Sequence, residues 1–127
     1  MSELTYLNDE HKRFFETQLE TYKVASYDRE RVSLFYVLGL SSILREHINE
    51  LYYEGGINPC AIGLEFQTSG TRALTRLAFV LYNDFKEQRT EDEEHYYSPS
   101  LLAIFCAADR QLIPFMYQAI SLRLGIL

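Results

Sequence analysis

Apolar residues recur at helical spacing along most of the chain. Phe14, Phe15, Leu19 and Tyr22 share one face of a segment, about 8–22, that Asn8 opens as an N-cap. Asp9 and Glu10 stand in its first turn, where the helix dipole favours negative charge. Asp28 caps a second segment, RERVSLFYVLGL, in which Val32, Phe35, Tyr36 and Leu38 predict a buried helix. Its nearly continuous apolar end predicts a central position. The LGLSS stretch ends that helix and offers Ser41 or Ser42 as the next cap. A third helix follows over about 42–53, with Ile43, Leu44, Ile48, Leu51 and Tyr52 on one side, and Glu54-Gly55-Gly56 stops it.

Residues 57–70 read as a loop with a short turn around Pro59 to Leu64. The longest helix runs over about 70–88, and RTEDEEHYY, from Arg89 to Tyr97, reads as a charged connector. Ser98-Pro99 predicts a cap with proline at the first helical position, opening a short apolar helix through Ala108. Pro114 begins or kinks a last helix in which Met116, Tyr117, Ile120 and Leu124 recur at helical spacing before Gly125. Strand-like alternation is nowhere sustained. The fold expected is all-α, a compact single-domain bundle of five to six helices covering the whole chain.

On a helical wheel the long helix gathers Leu74, Leu77, Ala78, Leu81, Tyr82 and Phe85 on a broad core face. Arg72, Arg76, Asn83 and Glu87 gather opposite, with Phe79 in the middle of that polar stripe. An aromatic flanked by guanidinium groups reads as a second packing layer or an exposed recognition patch. The turn ahead of it, QTSGTR, raises a parallel choice. Thr68, Ser69, Gly70 and Thr71 with Arg72 and Arg76 could cradle an anion at a helix N-terminus. No GxxxxGK[ST] signature is present, however. The favoured reading is that Thr68 or Ser69 caps the helix while the arginines pair with carboxylates such as Glu65 or Glu46.

Composition narrows the function classes. The 127 residues suit one domain, and 47% hydrophobic with 24% charged residues is a globular balance. A formal net charge of −6 argues against direct nucleic-acid binding and against anionic membranes, since phosphates call for clustered Lys and Arg. The N-terminus has no basic and apolar signal pattern, and no apolar run approaches the roughly 18 residues of a membrane span. With only Cys60 and Cys106, no zinc spacing or disulfide framework arises. The expectation is a cytoplasmic protein.

Candidate chemistry is sparse. His47 and Glu50 share a helix face and could supply two metal ligands, yet the di-iron pattern needs that pair twice with further glutamates. The favoured reading is a histidine bonded to its neighbouring carboxylate. No GxSxG elbow occurs, and Cys106 in LLAIFCAA reads as a buried small hydrophobe. No cofactor and no catalytic residue is implied. The acidic run that includes Glu93 and Glu94 reads first as a solvated connector between helices, and with Tyr96 and Tyr97 beside it as a binding epitope for a protein partner.

Two stretches carry a resemblance. Arg45-Glu46-His47-Ile48-Asn49-Glu50-Leu51-Tyr52 and, downstream, Gln67-Thr68-Ser69-Gly70-Thr71 with Thr75-Arg76-Leu77-Ala78-Phe79 are similar to motifs of an uncharacterised family of small bacterial proteins. That family is frequent in Gram-positive bacteria, their phages and mobile elements. The likeness extends to FYVLGL and YYSPSLL and so covers most of the chain; Tyr82 departs from it, standing where the family carries tryptophan. The resemblance implies no activity, but it marks Arg45, His47, Asn49, Gln67, Thr71, Arg76 and Asn83 as a polar cluster, and it implies a role in modulating a host or defence system.

The expectation drawn from all this is a non-enzymatic protein–protein interaction module, its interface built from Arg72, Phe79, Glu93, Glu94, Tyr96 and Tyr97. The alternatives are a phosphate- or nucleotide-binding protein, with Arg45, His47, Gln67, Thr71 and Arg76 converging at the Gly70 turn, and a small enzyme. A homodimer through the apolar tail, Leu124 to Leu127, is a further possibility for the partner.

Overall fold

Asn8 and Asp28 each accept a hydrogen bond from a backbone N–H three residues on, and each starts a helix where its side chain predicts one. These are α1 (Asp9–Thr21) and α2 (Arg29–Leu38). The structure, a computed structural model, describes residues 4–87 and 99–127. Ser41 caps α3 (Ser42–Glu46), which breaks at His47 and resumes as the single turn α4 (Ile48–Leu51). The sequence predicts one helix here; the break makes it two, so seven α-helices stand among the described residues.

The Glu54-Gly55-Gly56 stop does more than end a helix. Gly56 adopts φ 123, a conformation that a Cβ would strain, and the chain reverses into a two-residue antiparallel pair. Here β1 (Tyr52–Tyr53) and β2 (Gly56–Ile57) put Tyr52 opposite Ile57. A 3₁₀ turn, Pro59–Gly63, then leads to α5 (Ser69–Asn83), which is shorter than predicted. Among the residues from 99 onward come α6 (Leu101–Ala107), a second 3₁₀ turn (Arg110–Leu112) and α7 (Ile113–Leu124). Ser100, not Ser98, caps α6. Pro114 stands in the first turn of α7, and Gly125 ends it at φ 74.

The core is organised around α2, as its apolar run predicts. All six residues from Ser33 to Leu38 are buried, and α1, α5 and α7 pack against this helix. Ser33 satisfies its hydroxyl by donating to the Arg29 and Glu30 carbonyls of its own helix. Leu44, Leu51, Leu74, Leu77 and Met116 fill the same cluster. At the end of α2, a Cβ on Gly39 would stand 2.8 Å from His11 Cδ2 and 2.9 Å from Phe14 Cδ1, so glycine there lets α1 approach closely. No described helix is long and apolar enough to cross a membrane.

Candidate functional site

Thr68 settles the cap of α5. It accepts from the Thr71 amide while its own amide donates to Thr71 Oγ1, a reciprocal capping box. The donors that an anion cradle would need are thereby partly consumed. Thr71 Oγ1 donates to Gln67 Oε1 at 2.7 Å, and Gln67 Nε2 donates to the Ala61 carbonyl and to Thr75 Oγ1, both at 3.1 Å. Gln67, Thr71 and Thr75 are all buried. This polar chain fastens the 3₁₀ turn to α5 and is closed on itself.

Arg72 and Arg76 meet partners other than Glu65 and Glu46, and two further arginines bond backbone carbonyls. Arg45 donates to the Gly39 carbonyl at 2.7 Å, Arg72 to the Ile62 carbonyl at 2.9 Å, and Arg123 to the Leu81 carbonyl at 2.6 Å. Each satisfies a carbonyl at the end of a helical element, where no intrahelical N–H is left to do so. Arg76 instead pairs with Glu87.

His47 lies apart from these groups. Its Nδ1 contacts the Glu50 carboxylate, and its ring stacks flat on Phe66 with centroids 3.9 Å apart and 3° between planes. Asn49 is exposed on α4. Among the described residues no group of three or more His, Cys, Asp and Glu stands close enough to hold a metal ion.

A cleft of about 1060 Å³, open to solvent, lies between the first 3₁₀ turn, α5 and the residues that follow α5. It brings together Arg72, Arg76 and Asn83 from the sequence-marked set and adds Cys60, Asp84 and Lys86. Arg45, His47, Asn49, Gln67 and Thr71 do not line it. The seven residues marked by the resemblance are thus divided among four places: Arg45 at the end of α2, His47 and Asn49 around α4, Gln67 and Thr71 in the buried polar chain, and Arg76 and Asn83 in the cleft.

Two expectations about exposure are reversed. Phe79, placed on the polar stripe by the wheel, is fully buried and meets Phe85 edge to face at 5.7 Å. The physical reason is that α6 packs against α5 and covers a second face of it, so the long helix is apolar-packed on two sides. Cys106, expected in the core, is exposed, as is Cys60. The expected interface residues Glu93, Glu94, Tyr96 and Tyr97 lie outside the described residues.

A histidine with no motif to announce it lies among the buried residues. His11 is buried, its Nδ1 accepts from the Leu7 amide at 3.0 Å, and its Nε2 donates to the Tyr36 carbonyl at 2.8 Å. Accepting at one nitrogen and donating at the other requires the neutral ring. Burial lowers the His11 pKa against the opposing pull of the Tyr36 carbonyl, and the Arg45 charge lowers it further. Burial likewise raises the Tyr36 and Tyr82 hydroxyls.

The remaining feature is apolar. Every residue of α6, LLAIFCA, is apolar, yet only Ile104 is buried. Leu102 is 74% exposed and, on the neighbouring α7, Tyr117 is 61% exposed. The Tyr117 ring rests against Phe105, with centroids 5.3 Å apart. A groove of about 680 Å³ runs between the two helices, with Leu102, Phe105, Ile113 and Tyr117 in its walls. Sequence reasoning missed this face. An all-apolar seven-residue stretch signals burial, and nothing in it says that the described residues leave most of it uncovered.

The sequence pattern of a family of unknown function, DUF6075, spans residues 1–126. The chain belongs to that family. Its membership accords with the resemblance to an uncharacterised family and brings no activity with it. No curated protein and no solved structure matches the DUF6075 chain.

Proposed function

We propose that the protein is a helical binding module that docks another polypeptide on the face formed by α6 and α7. One observation carries this reading: α6 is apolar at all seven positions and buries only one of them. Burying a leucine side chain is worth about 1.5–3 kcal/mol, so Leu102 in water leaves that gain unrealised. A helix apolar on all sides belongs in an interior, and a partner completes that interior here. Tyr117 braced on Phe105 is the rigid aromatic anchor such an interface favours.

The competing reading, an anion in the cleft of Arg72 and Arg76, is the weaker one. Arg76 is already held by Glu87, and Asp84 and Glu87 place two carboxylates in the same lining. An incoming phosphate would have to displace an internal carboxylate and face a second.

A photo-activated cross-linking side chain at position 102 tests the docking face against the same group at Lys12, exposed on α1. Discrete adducts from position 102 that Tyr117→Glu abolishes are expected. Equal yields from both positions would refute the reading.

A further inference from the structure

We infer that residues 4–7 form a proton-sensitive strap, which a proton on His11 releases from α1, α2 and α7.

Side chains alone hold this stretch by hydrogen bonds. Among the described residues it makes no backbone–backbone hydrogen bond, and its bonds run to one side chain on each of three helices. From α7, Gln118 accepts from the Thr5 amide at 2.9 Å and donates to Thr5 Oγ1 at 2.5 Å. From α2, Tyr36 donates its hydroxyl to the Thr5 carbonyl at 2.7 Å. From α1, His11 Nδ1 accepts from the Leu7 amide. Between these bonds the half-buried Tyr6 covers three core rings, with centroids 5.5 Å from His11, 5.9 Å from Phe15 and 6.2 Å from Tyr36.

One of these fastenings depends on a proton. His11 Nε2–H is held by the Tyr36 carbonyl, so a second proton goes to Nδ1 and meets the Leu7 N–H head on. Two donors facing each other inside the fold leave both unsatisfied. The ring has little room to turn away, being packed by Tyr36, Phe115 and the close approach of Gly39. The strap has solvent beside it, since Thr5 is exposed. The strap therefore yields.

The surroundings of the ring act in the same direction. Tyr6 from the strap and Tyr36 from α2 are its titratable neighbours, and α7 presents the uncharged Phe115. Lys12 and Glu16 of α1 bear on Tyr6. Burial opposes a charged imidazole most, and the Arg45 guanidinium, tied to the Gly39 carbonyl, adds a like charge against the pull of the Tyr36 carbonyl. Lifting the strap lets water reach the ring. The open form then binds the proton more tightly than the closed one, so acid populates it and bares Phe15 and Tyr36.

Amide hydrogen exchange of the full chain, corrected for the intrinsic pH dependence of exchange, tests the strap. The Leu7 and Thr5 amides are expected to be less protected than those of the buried run in α2. Their opening should rise together, by up to about tenfold for each pH unit below 6.5, until the closed form is itself protonated. Gln118→Leu, which removes both bonds to Thr5 and leaves His11 in place, should raise Leu7 exchange at every pH without changing that slope. In His11→Gln, whose side chain accepts and donates without titrating, the Thr5 amide should lose its pH response. Protection at Leu7 equal to that in α2, a Thr5 amide that ignores pH, an unmoved Leu7 in Gln118→Leu, or a slope that persists in His11→Gln would each overturn the inference. Should His11→Gln not fold, the wild type and Gln118→Leu decide the matter by themselves.

Discussion

Glu87 grips Arg76 with both carboxylate oxygens, Oε1 at 2.5 Å from Nε and Oε2 at 3.4 Å from Nη2. Had α5 continued to residue 88, the two side chains would stand three turns apart on one face and out of reach. Asp84 prevents this by taking φ 57 and ψ 37, the left-handed conformation that ends α5. The chain turns back, Glu87 returns to Arg76, and Phe85 returns to Phe79.

That ion pair has a modest energetic value. Both side chains keep 24% exposure, so solvent screens them, but the geometry is two-pronged. Glu87→Ala is expected to cost about 1 kcal/mol in urea denaturation, and to cost less in high salt. A loss that salt leaves untouched would mean that Glu87 acts through packing instead.

Phe79 separates a packed interior from a surface patch by magnitude. Truncating a fully buried phenylalanine removes its transfer free energy and leaves a cavity, so Phe79→Ala should lose about 3–5 kcal/mol of stability. An exposed ring would give under about 0.5 kcal/mol. Denaturant midpoints decide between the two.

Gly39→Ala reverses the sign that helix propensity suggests. Gly39 has φ −72, which any residue adopts, and alanine is ordinarily the better helix former by about 1 kcal/mol. The added methyl would meet His11 Cδ2 at 2.8 Å, Phe14 Cδ1 at 2.9 Å and the Phe35 carbonyl at 3.2 Å. Overpacking of this kind costs about 1–3 kcal/mol, and a net loss of stability is expected. A stabilised variant would show that α1 yields easily.

His11 ties stability to pH. In the unfolded chain its imidazole takes a proton near 6.5, whereas burial holds the folded-state value lower. Between those two values the unfolded state binds more protons, so stability rises with pH there. The contribution of His11 is full above pH 6.5 and is lost as pH falls toward its folded-state value. Protonation would also set a ring N–H against the Leu7 amide, which donates to Nδ1. NMR titration of the His11 ring should give a midpoint below 6.5; a midpoint at or above it contradicts the neutral buried ring.

Much of the fold is readable from local pattern. The caps Asn8, Asp28 and Thr68, the glycine stop at Gly125 and the buried run of α2 each depend on residues within a few positions of one another. The helical class and the central place of α2 follow from such signals. Tertiary structure alone decided the rest. The end of α5 at Asp84, a residue that tolerates the left-handed region without requiring it, depends on Glu87 and Phe85 finding partners behind it. Whether Phe79 faces water depends on α6, more than twenty positions on along the chain. Among the described residues Leu102 and Tyr117 stay largely exposed, although α6 is apolar throughout and α7 packs against α2. Hydrophobic periodicity says which residues favour leaving water; only the packed chain shows which neighbours cover them.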